Sequence, residues 1–206
     1  MRFLIGTGNE KKRVEIARIL EDLDLGLEFV MPRELDPPPP TPDETGDTFE
    51  ANAAEKALGY AAATGLWTIA DDSGLVVDAL DGRPGVYSAR FSGEGATDES
   101  NNQKLLAEMN GVPEAERGCG YVSVVVLARP GEVLLSTRGE CRGRLLDAYR
   151  GEGGFGYDPL FFVDALGKTF AEITHAEKSE ISHRGAAMRA FRDRLQDILE
   201  RTRNAS

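Results

Sequence analysis

Asp71 and Asp72 stand side by side in WTIADDSGLVVDAL, after one apolar run and before Ser73, Gly74 and a second run. Like charges this close repel, and withdrawing either from water is costly unless a cation or hydrogen-bond donors compensate. The pair therefore marks either a solvated turn or a metal site. GTGNEKK, residues 6–12, is the second stretch with chemical potential. A glycine loop between a strand and a helix gathers unpaired backbone N–H groups and the positive end of a helix dipole, which suits phosphate. Thr7 and Asn9 add polar side chains, and Lys11 or Lys12 can reach an anion. The spacing is not that of a P-loop, G-x-x-x-x-G-K-[ST], and the bland alternative is a helix start with solvated lysines.

Two later stretches join them. In GEGGFG, Gly151, Gly153 and Gly156 fit G-x-G-x-x-G, but no hydrophobic strand runs into them, and Tyr157-Asp158-Pro159 stands where a helix should open. That context excludes a dinucleotide fingerprint. A pliable loop remains, presenting an aromatic ring, Phe155, and a carboxylate, Asp158, beside a planar ligand or simply as a turn. THAEKSEISHRG carries His175, Lys178, His183 and Arg184. Two histidines without supporting cysteines make a weak zinc case. Arg184 offers a fork of donors and Lys178 a mobile charge, which fit phosphate or carbonyl oxygen better. Mg²⁺ commonly sits on one or two carboxylates plus phosphate oxygens. An acid pair, a glycine anion loop and separate basic residues are thus the parts of phosphoryl chemistry.

The elements that must position these parts alternate strand and helix. Residues 2–7 read as a buried strand, and a helix from Glu10 has Val14, Ala17 and Leu20 on its apolar stripe. A short strand covers 27–31. PRELDPPPPTPDETGD, with six prolines, is an irregular surface segment. Thr48 caps a helix through about Ala63 with Phe49, Ala53, Ala57 and Leu58 inward. Trp67–Ala70 is a strand ending at the acid pair, and 75–77 is a separate extended piece. In the loop that follows, Val86, Tyr87 and Phe91 tuck inward. Thr97 caps a helix facing the core through Leu105, Leu106 and Met109. Near-continuous apolarity places Tyr121–Ala128 centrally in a sheet, and RPGE turns it into a hairpin with 133–141. A short strand spans 160–163, and Ser182 caps a final helix through about Arg201 with Met188, Phe191, Leu195 and Ile198 on one face. The expectation is one α/β domain over residues 1–206 with a mixed sheet and a flexible tail from about 202.

Bulk properties narrow the partners. A chain of 206 residues supports one sizeable core. Its 24 Lys and Arg against 35 Asp and Glu leave a net charge of −11, which repels nucleic-acid backbones and anionic lipid while permitting a locally compensated anionic substrate. Cys119 and Cys141 are too few for a disulfide framework and read as small core thiols. No apolar run approaches about 18 residues, so no membrane span is expected. The opening apolar stretch is too short for a secretion signal, and the cytoplasm is the expected location.

Taken together, TGNxxK, ADDSGLxVDAL, PGVYSAR, GGFGYDPLFF and EKSxISHRGxAM, in this order from about residue 4 to 195, resemble the inosine triphosphate pyrophosphatase family. The resemblance implies hydrolysis of ITP, dITP and XTP to monophosphate and pyrophosphate, Mg²⁺ dependence, and a homodimer. It also implies an elongated mixed sheet with helices on both sides and two lobes around a substrate cleft. By the same likeness, Thr7, Gly8, Asn9, Glu10, Lys11 and Lys12 match the phosphate-binding loop, with Lys12 acting on leaving charge. Asp72 matches the catalytic, metal-associated carboxylate and Ser73 a substrate contact. Phe155, Gly156, Tyr157 and Asp158, completed by Lys178, His183 and Arg184, match the base and sugar pocket. Glu44 matches the second metal-side carboxylate, with Asp43 its rival beside the proline run of residues 37–42. Two other readings share these parts: a broad or pyrimidine-directed NTP pyrophosphatase, and a non-enzymatic nucleotide sensor that would not need the acid pair.

Overall fold

The computed structural model describes residues 2–7, 9, 12–14, 16, 20 and 27–204. Its strands are β1 (Arg2–Ile5), β2 (Glu28–Val30), β3 (Trp67–Val77), β4 (Gly118–Arg129), β5 (Glu132–Leu145), β6 (Phe161–Val163) and β7 (Lys168–Thr169). They form one seven-stranded sheet in the order β2-β1-β3-β4-β5-β6-β7. β1 pairs in parallel with both β2 and β3, whereas β6 pairs antiparallel with β5 and β7, so the sheet is mixed. β4 and β5 are hydrogen-bonded neighbours joined by the two-residue turn Pro130-Gly131, the expected hairpin, with Gly131 at φ 81°. The helices are α1 (Phe49–Thr64), α2 (Asp98–Glu108), α3 (His175–Ile181) and α4 (His183–Asn204); residues 12–14, 16 and 20 are also helical.

Two compact units share this chain. The first holds residues 1–72, 123–139 and 184–206, the second residues 73–122 and 140–183, and β3, β4 and β5 each carry residues of both. In the first unit, Phe3, Ile5, Ile69, Val125 and Leu127 pack with Met188, Phe191 and Leu195 of α4 and with Ile16 and Leu20. Leu4 and Val30 instead pack with Tyr60 of α1. Successive strand side chains point to opposite faces, so α1 and α4 cover the two sides of β1. The second unit has its own core, in which Leu75, Val77, Leu105, Met109, Tyr121, Phe161 and Phe170 are buried.

Several elements follow from local chemistry. The Thr48 side chain accepts the Ala51 N–H at 3.1 Å, and Gly65 at φ 72° ends α1. Thr48→Ala is expected to lower stability by about 1 kcal/mol, read as a lower urea midpoint at unchanged slope. Thr97 caps α2 through a box with Ser100.

Other expectations are corrected. The strand does not end at the acid pair: β3 continues through Asp71, Asp72 and Ser73 to Val77, because this backbone is sheet-paired and the acids have partners of their own. Tyr87 is exposed beneath the Arg90 guanidinium, while Phe91 is buried as expected. Residues 175–181 form a short helix capped by Thr174 and Glu177, so Ser182 also closes α3 as α4 begins. α4 runs to Asn204. Ala17 lies outside the described residues. Both cysteines are buried and free, and burial raises the Cys119 thiol to about 12 and that of Cys141 to about 11.

Candidate active site

In the first unit, β1 delivers its chain into a tight loop at Gly6, where a Cβ would come within 2.8 Å of the Tyr60 ring. The Asn9 N–H donates to Thr7 Oγ1 at 3.1 Å, and Asn9 Oδ1 accepts the Lys12 N–H at 3.2 Å. Asn9 thus caps the helical residues that include Lys12. Gly8, Glu10 and Lys11 lie outside the described residues.

Lys12 Nζ reaches Asp71 Oδ2 at 3.1 Å. Asp71 is fully buried and also meets Arg184 Nε at 3.5 Å; its backbone carbonyl accepts Lys56 Nζ at 2.9 Å. Burial pushes the Asp71 carboxyl up, but Lys12, Arg184 and Lys56 outweigh it and hold the group well below the usual carboxylate range. The adjacent acids therefore divide their work. Asp71 is an internal anion that organises cations, and this explains how a charge survives there.

Asp72 behaves oppositely. Burial raises its carboxyl; Lys12 and Lys56 oppose this, Glu44 adds to it, and the net direction is upward. Asp72 Oδ2 accepts Asn52 Nδ2 at 3.2 Å. Glu44 Oε1 sits 3.0 Å from Lys56 Nζ, whereas Asp43 is exposed. Glu44 is presented by a segment docked along α1. Pro42 lies against Gly59, where a Cβ would approach its ring carbons to 2.7 Å, and Thr45 N–H and Oγ1 donate to Glu55 at 2.8 and 3.2 Å. Two carboxylates with mutually unfavourable charge, one of them desolvated, suit a divalent cation. Among the described residues no cluster of three His, Cys, Asp or Glu forms a closed metal cage; Mg²⁺ does not require one, since it keeps water and substrate ligands.

In the second unit the glycine loop is shaped around Asp158, which is buried. Its Oδ2 accepts the Phe155 N–H at 2.9 Å and Lys178 Nζ at 2.5 Å, and Tyr121 Oη donates to Oδ1 at 3.4 Å. Lys178 Nζ lies 4.5 Å from the Phe155 ring centre. His183 stacks on Tyr121, centroids 4.6 Å apart and planes 10° apart. Tyr157 is buried with its hydroxyl on the Ser88 carbonyl at 2.8 Å. Ser73 is half-buried in β3.

The geometry thus brings Phe155, Asp158 and Lys178 together, with His183 stacked on the tyrosine that donates to Asp158. Arg184 is 98% enclosed, and its Nε lies 3.5 Å from Asp71 Oδ2. Sequence reasoning overlooked Asn52, Lys56 and Tyr121. A signal existed for the first two: in α1 they flank the inward stripe of Phe49, Ala53, Ala57 and Tyr60, and polar residues on a buried helix face need partners.

The comparisons with known proteins agree on one family. The Ham1 family model matches residues 3–194. A dITP/XTP pyrophosphatase of Geobacter sulfurreducens is 50% identical over 194 residues, covering 94% of this chain and 96% of the relative. The Ham1 protein of Staphylococcus aureus superposes with a TM-score of 0.85 at 36% identity, covering 96% of this chain and 99% of that one. A nucleoside-triphosphatase, dITP/XTP pyrophosphatase, of Mycobacterium abscessus gives a TM-score of 0.76 at 41% identity over 93% and 97% of the chains.

Proposed function

The chain belongs to the Ham1 family, and we propose that it hydrolyses deaminated purine nucleoside triphosphates, dITP, ITP and XTP, to the monophosphate and pyrophosphate. The observation that carries this reading is the buried Asp71 anchor, which holds Lys12 beside a second, partly desolvated carboxylate, Asp72. The name dITP/XTP pyrophosphatase borne by the Geobacter relative supports the substrate class.

Thr7, Asn9 and Lys12, with Gly8, Glu10 and Lys11 of the same loop, receive the triphosphate. Lys12 stabilises charge on the departing pyrophosphate. Burial lowers its ammonium from the ordinary lysine range, with Asp71 opposing the shift, and an arriving polyanion favours the charged form further. Asp72 and Glu44 are the residues that would hold Mg²⁺, which when bound neutralises phosphate oxygens and makes water a better nucleophile. Asp72 orients that water at the α-phosphorus, and Asn52 fixes the carboxylate's rotamer. Arg184 holds Asp71 and, by the family likeness, completes the base pocket with Lys178 and His183.

Phe155 stacks on the purine, contributing affinity more than selectivity. Gly156, Tyr157 and Ser73 shape the pocket. Lys178 and His183 read the oxygen at C6; adenine presents an amino group there, leaving donors facing donors, at about 1–3 kcal/mol for each unpaired buried group. The family likeness supports a homodimer and residence in the cytoplasm. Among the described residues no helix is long and apolar enough to cross a membrane.

Pyrophosphate release from ITP, XTP, dTTP, ATP and GTP, with and without Mg²⁺, tests the whole reading. The expected outcome is fast release from ITP and XTP, slow release from ATP and GTP, and dependence on Mg²⁺. Comparable release from dTTP would favour the broad enzyme, binding without turnover the sensor, and orthophosphate would mean that a different bond is cleaved.

A further inference from the structure

GEGGFG places four glycines in six residues directly before Tyr157 and Asp158. Such a segment has the largest backbone freedom a chain offers, a poor property for a loop that must tell one purine edge from another. The structure shows what removes that freedom. Gly156, at φ 61°, is held at both of its polar groups by one helix: its N–H donates to Asp98 Oδ2 at 2.8 Å, and its carbonyl accepts Asn102 Nδ2 at 2.9 Å. Asp98 and Asn102 stand four residues apart on α2 and so share a face.

Asn101, beside Asn102 in the same turn, reaches a second segment. Asn101 Nδ2 donates to the carbonyls of Ser88 and Ala89 at 3.3 and 3.2 Å, and its Oδ1 accepts the Ser92 N–H at 2.7 Å. The hydroxyl of Tyr157 ends on the same Ser88 carbonyl. Asn101 and Asn102 are each only 4% exposed. Two adjacent buried asparagines on a helix cost desolvation, and the bonds to loop backbone offset part of it, while Asn102 Oδ1 has no hydrogen-bond partner among the described residues. Neither is needed to hold α2 itself, which has its own cap at Thr97.

We infer that Asn102 and Asp98 are specificity-determining positioning residues. By clamping the Gly156 peptide they fix the Phe155 ring against the Asp158–Lys178 pair, and so set which purine edge is accepted. The inference rests on the base-pocket reading of Phe155 to Asp158 given above. Both residues belong to the second unit, whereas Lys12, Asp71 and Asp72 belong to the first. Their loss therefore acts on selectivity before it acts on turnover. Asn102 carries the larger share, being buried, whereas the Asp98 bond is exposed to water.

The test is steady-state pyrophosphate release from ITP and GTP by wild type, Asn102→Ala, Asp98→Ala and Asp98→Asn, with melting temperatures recorded in parallel. Asn102→Ala is expected to reduce the ITP/GTP ratio of kcat/KM by about tenfold or more, with kcat on ITP within about threefold of wild type. Asp98→Ala shifts the ratio in the same direction by a smaller factor. Asp98→Asn keeps an acceptor for the Gly156 N–H and is expected to retain the wild-type ratio. A selective wild type whose two alanine variants are equally selective overturns the inference alone. So does an equal loss of kcat on both substrates, which marks a merely structural role. A wild type with no preference for ITP overturns the parent reading and this one with it. Asp98 is exposed at the start of its helix, so its variants fold and keep the question answerable if Asn102→Ala does not.

Discussion

Asp72→Asn is expected to lower pyrophosphate release from ITP by about a thousandfold, roughly 4 kcal/mol of transition-state stabilisation, while leaving the protein at least as stable as wild type. The two effects have one cause. Burial and the neighbouring Glu44 push the Asp72 carboxyl upward, so at neutral pH the ionised acid is held at a cost in the free protein. A neutral isostere relieves that cost and keeps an acceptor for Asn52 Nδ2. It cannot hold a divalent cation or orient water with a full charge. Affinity for a non-hydrolysable ITP analogue without Mg²⁺ should stay within about tenfold, because the groups that grip the tail and base are untouched. Isothermal titration and a pyrophosphate assay on the same preparation provide the check; a variant that still turns over ITP would remove Asp72 from the chemistry.

Asp71→Asn should do the reverse in stability. The substitution leaves Lys12 and Arg184 facing a neutral amide, and breaking a buried ion pair from one side costs about 3–5 kcal/mol. The cost depends on pH with a definite sign. The folded-state carboxyl lies below its ordinary value of about 3.9. Below that ordinary value the unfolded chain takes up the proton while the folded chain resists it. The contribution is therefore complete above about pH 5 and is lost as pH falls toward the folded-state value. Urea unfolding at pH 7 should show a wide gap between wild type and variant, and at pH 3 a narrower one. A gap that is constant across this range would mean that the ion pairs are not its source. Activity should fall too, since Lys12 loses the anion that aims it.

The contrast between these neighbours explains which parts of the molecule were legible in the sequence. Near-continuous apolarity announced β4, and Thr48, Gly65 and Thr97 announced the ends of α1 and α2, because caps and periodicity are local signals. The continuation of β3 past Asp71 was not legible: consecutive acids normally end a strand, and what allows them here comes from residues 12, 52, 56 and 184. Motif spacing pointed to Lys12 and Asp72 but was silent on Lys56, whose partners Glu44 and Asp71 lie on either side of it in sequence and meet only in the fold. Arg184 was legible as a fork of donors, but its burial beside Asp71 was not. The seven-residue α3 was hidden by its brevity, although Thr174 and Glu177 spelled its cap.

The proline run leading to Glu44 carries one more consequence. Each proline ring restricts φ to about −65°, and the end of the run is pinned where Pro42 rests on Gly59 and Thr45 bonds Glu55. A side chain delivered from such a stiff, fastened lead has little freedom left to surrender when a ligand arrives. Its ordering entropy is spent once, during folding, and is not charged again at each catalytic cycle.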